Sequence, residues 1–263
     1  MLLAASHGTS DPAGQAAVAA LVRAVADARP DASVRGSFVD VQQPDVPTTL
    51  DALADGVPAV VVPLLLSAGY HVHVDLADAA RGALPRRVTV TGALGPDSRI
   101  TRILADRVRE AGLSAGDLVV LAAAGSSNAD AVADCHTVGR ELSILLDRPV
   151  TVAFISAAQP RLSCAVAKVR VSARGARVIV ATYLLAPGYF AGLAHGAGAD
   201  LVTAPLLVAG MEPPMGLVDT VIDLYEHAVA QATGCDEQVY DEQVYDEQVT
   251  AAYHRRRSPV MTR

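Results

Sequence analysis

Two stretches of this chain recur at almost the same interval. VVVPLLLSAGYHVHV (60–74) aligns without gaps on IVATYLLAPGYFAGL (179–193), an offset of 119, and keeps a Leu-Leu before the break and a Gly-Tyr after it. LAASHGTSD (3–11) matches LAAAGSSNA (121–129) at an offset of 118. Self-similarity at one interval marks a structural unit used more than once. The fold must therefore be one that can be built twice, from about the same number of residues each time.

Within each copy, apolar runs alternate with amphipathic stretches. Periodicity and Gly/Pro punctuation predict strands near 2–6, 33–39, 58–66 and 87–91, with helices near 11–28, 46–55, 74–83 and 98–111. Asp11-Pro12 supplies an N-cap with proline at the first helical position, and Asp97-Ser98 does similar work before Ile100. The pattern restarts at Asp117–Ala124 and continues through strands at Val150–Ile155, Arg177–Tyr183 and Asp200–Thr203. Hydrophobic residues make up 51% of the chain, aromatics only 4%, and tryptophan is absent, which suits helices packed closely on buried parallel sheets. The expected fold is α/β, with two tandem domains at 1–114 and 115–234, each a four-stranded parallel sheet flanked by helices. Residues 235–263 carry DEQVY, DEQVY and DEQVT, a period of five that fits neither helix nor strand, and then the basic run His254 to Arg257. A disordered, low-complexity tail is expected there.

No apolar run approaches the roughly 18 residues needed to cross a bilayer. The N-terminus lacks a basic region followed by a cleavage site, so a cytoplasmic protein with no membrane partner is expected. Cys135, Cys164 and Cys235 are odd in number and form no CxxC pair, and they are assigned no chemistry. The formal net charge is −7; the tail contributes six acids against four arginines, so most of the acidity belongs to the body. That balance argues against nucleic acid as a partner, since such binding needs a basic face. No GxxxxGK[ST] phosphate loop is present, so no ATP dependence is expected.

Ligands of open α/β sheets bind beyond the carboxyl ends of the strands. The first strand ends in Ser6-His7-Gly8-Thr9, and the third breaks at Ser67-Ala68-Gly69 before Tyr70, His71 and His73. Two strand ends thus each deliver an imidazole to one edge. Imidazole binds Fe, Co, Ni or Zn and also exchanges protons near neutral pH. Two such ligands make a weak site beside the three or four of a durable one, which suits a protein that passes its metal on. In the repeat alignment His7 falls on Gly125, His71 on Phe190 and His73 on Gly192, so the second half is expected to close one wall of a cleft rather than to bind metal. His73 shares a face with His71 only if the chain there is extended. Asp75 either orients a histidine or caps the following helix, and the recurrence of Tyr70 as Tyr189 points to packing.

SHGTSDP (6–12), FVDVQQPDV (38–46), PLLLSAGYHVHVD (63–75) and GALGPDSRI (92–100) together resemble the class II chelatases, specifically the sirohydrochlorin chelatases of siroheme and cobalamin synthesis. The resemblance covers nearly all of residues 1–230, since long members carry two tandem domains, often with the active histidines in one half. It implies an ATP-independent lyase in which His7 and His71 bind the incoming metal and help remove pyrrole protons. Fe2+ or Co2+ would be a substrate, with no permanently bound cofactor, and sirohydrochlorin the partner of a monomer or homodimer. The substrate's carboxylates need cationic or polar partners, for which Ser10, Arg99 and Arg102 are candidates, while His73 and Asp75 would stand behind the metal ligands. The alternative is a non-catalytic carrier of metal or tetrapyrrole that uses the same histidines.

Overall fold

A computed structural model gives the fold of residues 1–67, 69–172 and 175–233, leaving aside the side chains of residues 70–74. The expected low-complexity tail lies outside the described residues. Residues Met1–Tyr225 form one compact unit that holds both copies of the repeat; residues 226–233 belong to a second unit and are helical. Among the described residues no helix is long and apolar enough to cross a membrane.

In the first copy the strands are β1 (Leu2–Ser6), β2 (Val34–Phe38), β3 (Ala59–Pro63) and β4 (Val88–Val90). They alternate with helices α1 (Pro12–Ala28), α2 (Val46–Asp51), α3 (Tyr70–Gly82) and α4 (Ser98–Glu110). The second copy runs β5 (Leu118–Ala123), α5 (Ala129–Leu146), β6 (Val150–Phe154), α6 (Leu162–Ser172), β7 (Val178–Tyr183), α7 (Tyr189–His195) and β8 (Leu201–Val202). A further helix, α8, begins at residue 215. All pairings are parallel, in the orders β2-β1-β3-β4 and β6-β5-β7-β8. Every residue of β1, β3 and β7 is buried, because helices cover both faces of the central strands. Asp11 and Asp97 cap α1 and α4 as expected, accepting from the N–H groups of Ala13 and Arg99.

Strand register corrects the sequence alignment of the repeats by one residue. Leu2 pairs with Val60 and Val119 with Ile179, so the first strands are related by 117 residues when the third strands are related by 119. Gly8 then matches Gly125, with φ of +92° and +93°. Asp11 matches Asn128, and each caps its helix through the N–H two residues on. The counterpart of His7 is therefore Ala124, not Gly125. Two other boundaries also move: β3 stops at Pro63 rather than near 66, and α2 stops at Asp51 rather than near 55.

The matched cores are filled differently at one contact. Gly139 on α5 lies so close to β6 that a Cβ there would overlap Val152, whereas at the equivalent place in the first copy Val22 on α1 packs over Gly36 on β2. The large and small residues have exchanged partners across the same helix–strand contact.

Helix α4 joins the copies. Its apolar stripe of Ile100, Leu104, Ala105 and Val108 is buried, and it packs on α5 and β7. Thr101 donates to Glu141 at 2.8 Å, and Arg109 to the Leu145 carbonyl at 2.7 Å. Deeper in, the Tyr183 hydroxyl donates to the Leu66 carbonyl at 2.8 Å, and burial raises the phenol above its ordinary pKa. Tyr183→Phe removes the donor of a buried carbonyl, which costs about 1–3 kcal/mol. The expected result is a lower urea midpoint with a single unfolding transition; an unchanged midpoint would show that the bond contributes nothing.

At the opposite end of the second sheet, Arg177 grips Asp117 through Nε (2.9 Å) and Nη2 (2.6 Å), and the Ser114 N–H donates to the same carboxylate. The Arg177 bond holds the Asp117 carboxyl below its ordinary value of 3.8. A carboxyl depressed in the folded state adds stability above its unfolded pKa and loses it as pH falls through the folded one. Asp117→Asn is therefore expected to lower Tm at pH 7 and to flatten the loss of Tm between pH 4 and the acid limit. Parallel acid limbs for the two proteins would contradict this.

Candidate active site

Strands β1 and β3 are neighbours at the centre of the first sheet, yet the chain leaves β1 toward β2 and leaves β3 toward β4. The connections diverge, and a crevice opens beyond the carboxyl ends of the two strands. His7 is the first residue past β1 and is exposed. Its backbone is fastened on both sides. The Val39 N–H donates to the Ser6 carbonyl (2.9 Å) and the Asp40 N–H to the His7 carbonyl (3.1 Å). Gly8 follows with φ +92°, pressed so closely on the Asp40 carbonyl that a Cβ would overlap it. Thr9 donates its N–H to Gln42 at 2.9 Å, and its hydroxyl accepts from the Asp11 N–H. Val41, in the same β2–α2 loop, has φ +61°, a strained value for a β-branched residue. Ala157 repeats it at +53° in the second copy, so the strain belongs to the fold and not to the chemistry of one half.

His71 lies in the first turn of α3, which begins at Tyr70, four residues before the expected start. Gly69 caps it without a side-chain bond. Two expectations change as a result. Residues i and i+2 of a helix stand ~200° apart around its axis, so His71 and His73 do not share a face. Asp75 sits in the body of α3 and is exposed, so it is not the helix cap. Ser10 is exposed in the His7 loop, and Arg102 is exposed on α4. Arg99 is not available as expected. Its guanidinium is bound by Asp97 at 2.7 Å and by Asp223 of α8, which hold it firmly protonated. Burial alone would raise the Asp97 carboxyl, but the Arg99 side chain and backbone N–H bring it below its ordinary value. The cluster ties α4 to α8.

The second copy supplies the facing wall by a reciprocal contact. Thr9 Oγ1 lies 3.2 Å from where a Gly188 Cβ would stand, and Ser126 Oγ lies 3.8 Å from the same point on Gly69. Thr9 and Ser126 are equivalent residues, as are Gly69 and Gly188, so the two crevices meet face to face. Gly14 presses on the Pro187 carbonyl beside them. Beneath this contact, burial and Asp134 push the Cys135 thiol up to about 11 against a bond from Ser67, leaving an inert thiol. Cys164 is exposed and unpaired in a disulfide. Where the first copy has Tyr70 and His71, the second has Tyr189 and Phe190, and both of these are exposed. The expectation that the recurring tyrosine packs inside does not hold for Tyr189. None of these cross-copy contacts carries a local sequence signal, since each joins residues more than fifty positions apart.

A duplicated four-stranded parallel unit, with His7 just past the first strand of one copy and Ala124 at the same place in the other, has the two-domain architecture of the class II chelatases. Residues 1–111 and 118–193 match the family model described as CbiX, and the chain belongs to that family. SirB from Bacillus subtilis with Fe3+ has the same fold at a TM-score of 0.71 and 20% identity, over 89% of this chain and 96% of that one. The sirohydrochlorin chelatase SirB from Bacillus subtilis subspecies spizizenii in complex with cobalt gives 0.65 at 17% identity, again over 89% and 96%. CbiX, the terminal enzyme for biosynthesis of siroheme in denitrifying bacteria, gives 0.60 at 20% identity, over 84% of this chain and 98% of that one. Comparison with curated protein sequences gives no match.

Proposed function

We propose that this protein is a sirohydrochlorin chelatase, inserting Fe2+ or Co2+ into the tetrapyrrole without ATP. The observation that carries the reading is His7: an exposed imidazole on a tightly fastened loop at the central crevice of a CbiX-family fold. His71, entering from the neighbouring strand's connection, is its partner. Together they take the metal from water. As the ion enters the ring, two pyrrole N–H bonds break; the nitrogen lone pairs go to the metal and the two protons pass through imidazole to solvent. A neutral imidazole suits both the ligand and the proton-accepting role. A crevice that holds ion and ring in register removes much of the entropic barrier to their meeting. Ser10 and Arg102 are assigned to the substrate's carboxylates and Asp75, one helical turn on from His71, to a supporting position on α3, while His73, on the other side of that helix, takes no such role. The division between the copies is placed at 114/115, and the protein is read as a cytoplasmic monomer or homodimer that binds no nucleic acid.

The test is anaerobic metallation of sirohydrochlorin followed by absorbance, with Fe2+ and Co2+ in turn. Insertion well above the spontaneous rate is expected. Insertion no faster than without protein would sink the enzyme reading, and tetrapyrrole retained by the protein in that case would identify a carrier.

A further inference from the structure

Helix α7 turns its side chains the wrong way round for a helix in water. Ala191 and Ala194 face the core at 8% and 0% exposure, while Tyr189, Phe190 and Leu193 stand in solvent at 78%, 37% and 42%. Globular helices bury large apolar groups and expose small or polar ones, so a contiguous apolar surface left outside marks a binding face. The chain is also sparing with rings, with three Phe, seven Tyr and no Trp, yet it sets two of them side by side here, centroids 5.9 Å apart and tilted by 53°. Their place is as telling as their exposure. They follow Gly188, which abuts Thr9, two residues beyond His7. They also occupy the positions held in the first copy by Tyr70 and His71. The aromatic pair therefore begins directly after the point where the second copy abuts the loop that carries His7.

We propose that Tyr189, Phe190 and Leu193 form the platform on which the flat face of the tetrapyrrole rests during metallation. This rests on the chelatase reading above and adds to it the way the ring is held. The substrate has a conjugated, apolar disc and a rim of carboxylates. The disc gains by leaving water for an aromatic surface, while the rim stays hydrated or meets polar groups. A disc seated on the second copy offers its open face to His7 and His71, so metal arrives and protons leave on the same side. This also gives the second copy a task that needs no histidine.

The experiment uses the full chain and metal-free sirohydrochlorin. Phe190→Ala, Tyr189→Ala and the double variant are titrated with the tetrapyrrole in the absence of metal, followed by absorbance, and then assayed for KM and kcat with Co2+. For Phe190→Ala the expected result is about a tenfold rise in both Kd and KM for the tetrapyrrole, the loss of one good aromatic contact. KM for Co2+ stays unchanged, and so does the thermal midpoint of Tyr189→Ala, whose side chain is 78% exposed. Phe190→Trp keeps wild-type affinity. If the double variant binds sirohydrochlorin within twofold of an active wild type, the platform is wrong and the chelatase reading survives. If the wild type neither binds nor metallates sirohydrochlorin, both fall together.

Discussion

His7→Ala is expected to slow metal insertion by ~10²–10⁴-fold, the range associated with loss of a positioned proton-transfer group. If His7 also ligates the incoming metal, as proposed, its loss acts in the same direction. The side chain is exposed, and the loop is held by bonds to the Val39 and Asp40 backbone and to the Gln42 side chain that alanine at position 7 leaves in place. Folding stability should therefore stay within about 0.5 kcal/mol of wild type. The decisive comparison is the initial rate of Co2+ insertion for wild type, His7→Ala and His71→Ala beside the rate with no protein. Both variants should fall toward the spontaneous rate, and a His7→Ala protein retaining more than a tenth of the enzymatic gain would remove His7 from the chemistry.

The second large effect separates fold from function by using the repeat as its own control. Gly8 and Gly125 have the same backbone conformation, and a Cβ on either would overlap a carbonyl oxygen, that of Asp40 or of Ser156. An alanine at either position meets a strained φ and a steric conflict, at a cost of about 2–4 kcal/mol. The two losses should be similar because the surroundings are. Activity should not be: Gly8→Ala moves the residue that follows His7 away from Asp40, whereas Gly125→Ala disturbs a loop with no imidazole. Per folded molecule, Gly8→Ala is expected to insert metal at least tenfold more slowly than Gly125→Ala. Urea unfolding gives the stability of each, and the initial rate corrected for folded fraction gives the rest. Equal rates would mean that the position of the His7 loop does not govern catalysis.

What could be read without coordinates was what is decided locally. The central strands are continuous apolar runs, and Asp11 and Asp97 announce their helices through cap chemistry that involves only the next few residues. The placement of His7 at a strand end followed from these. The start of α3 did not, because Gly69 offers no capping side chain and the alternation His-Val-His-Val imitates a strand. The repeat offset slips by one because Leu3-Ala4-Ala5 is identical to Leu121-Ala122-Ala123 in the wrong frame, whereas the true frame keeps only Ala5 on Ala122 in that strand; the ladder bonds of β1 and β5 choose between them. Arg99 looked free because its partner Asp223 lies 124 residues away. The recurrence of Tyr70 as Tyr189 suggests packing, yet the structure leaves Tyr189 78% exposed, because exposure is set by what packs over a residue and not by its recurrence.

A chain that contains the same unit twice risks mistaking one copy for the other while it folds. The exchanged pair at the helix–strand contact acts against that error. Helix α1 docked on β6 would set Val22 against Val152 where Gly139 leaves no spare room, and α5 docked on β2 would leave Gly139 facing Gly36 across a void. One wrong pairing is too full and the other too empty, so each helix recognises the strand from its own copy. Two residues in each half thus make the helix–strand contacts of the two copies non-interchangeable, so that exchanging α1 and α5 would cost packing at both places.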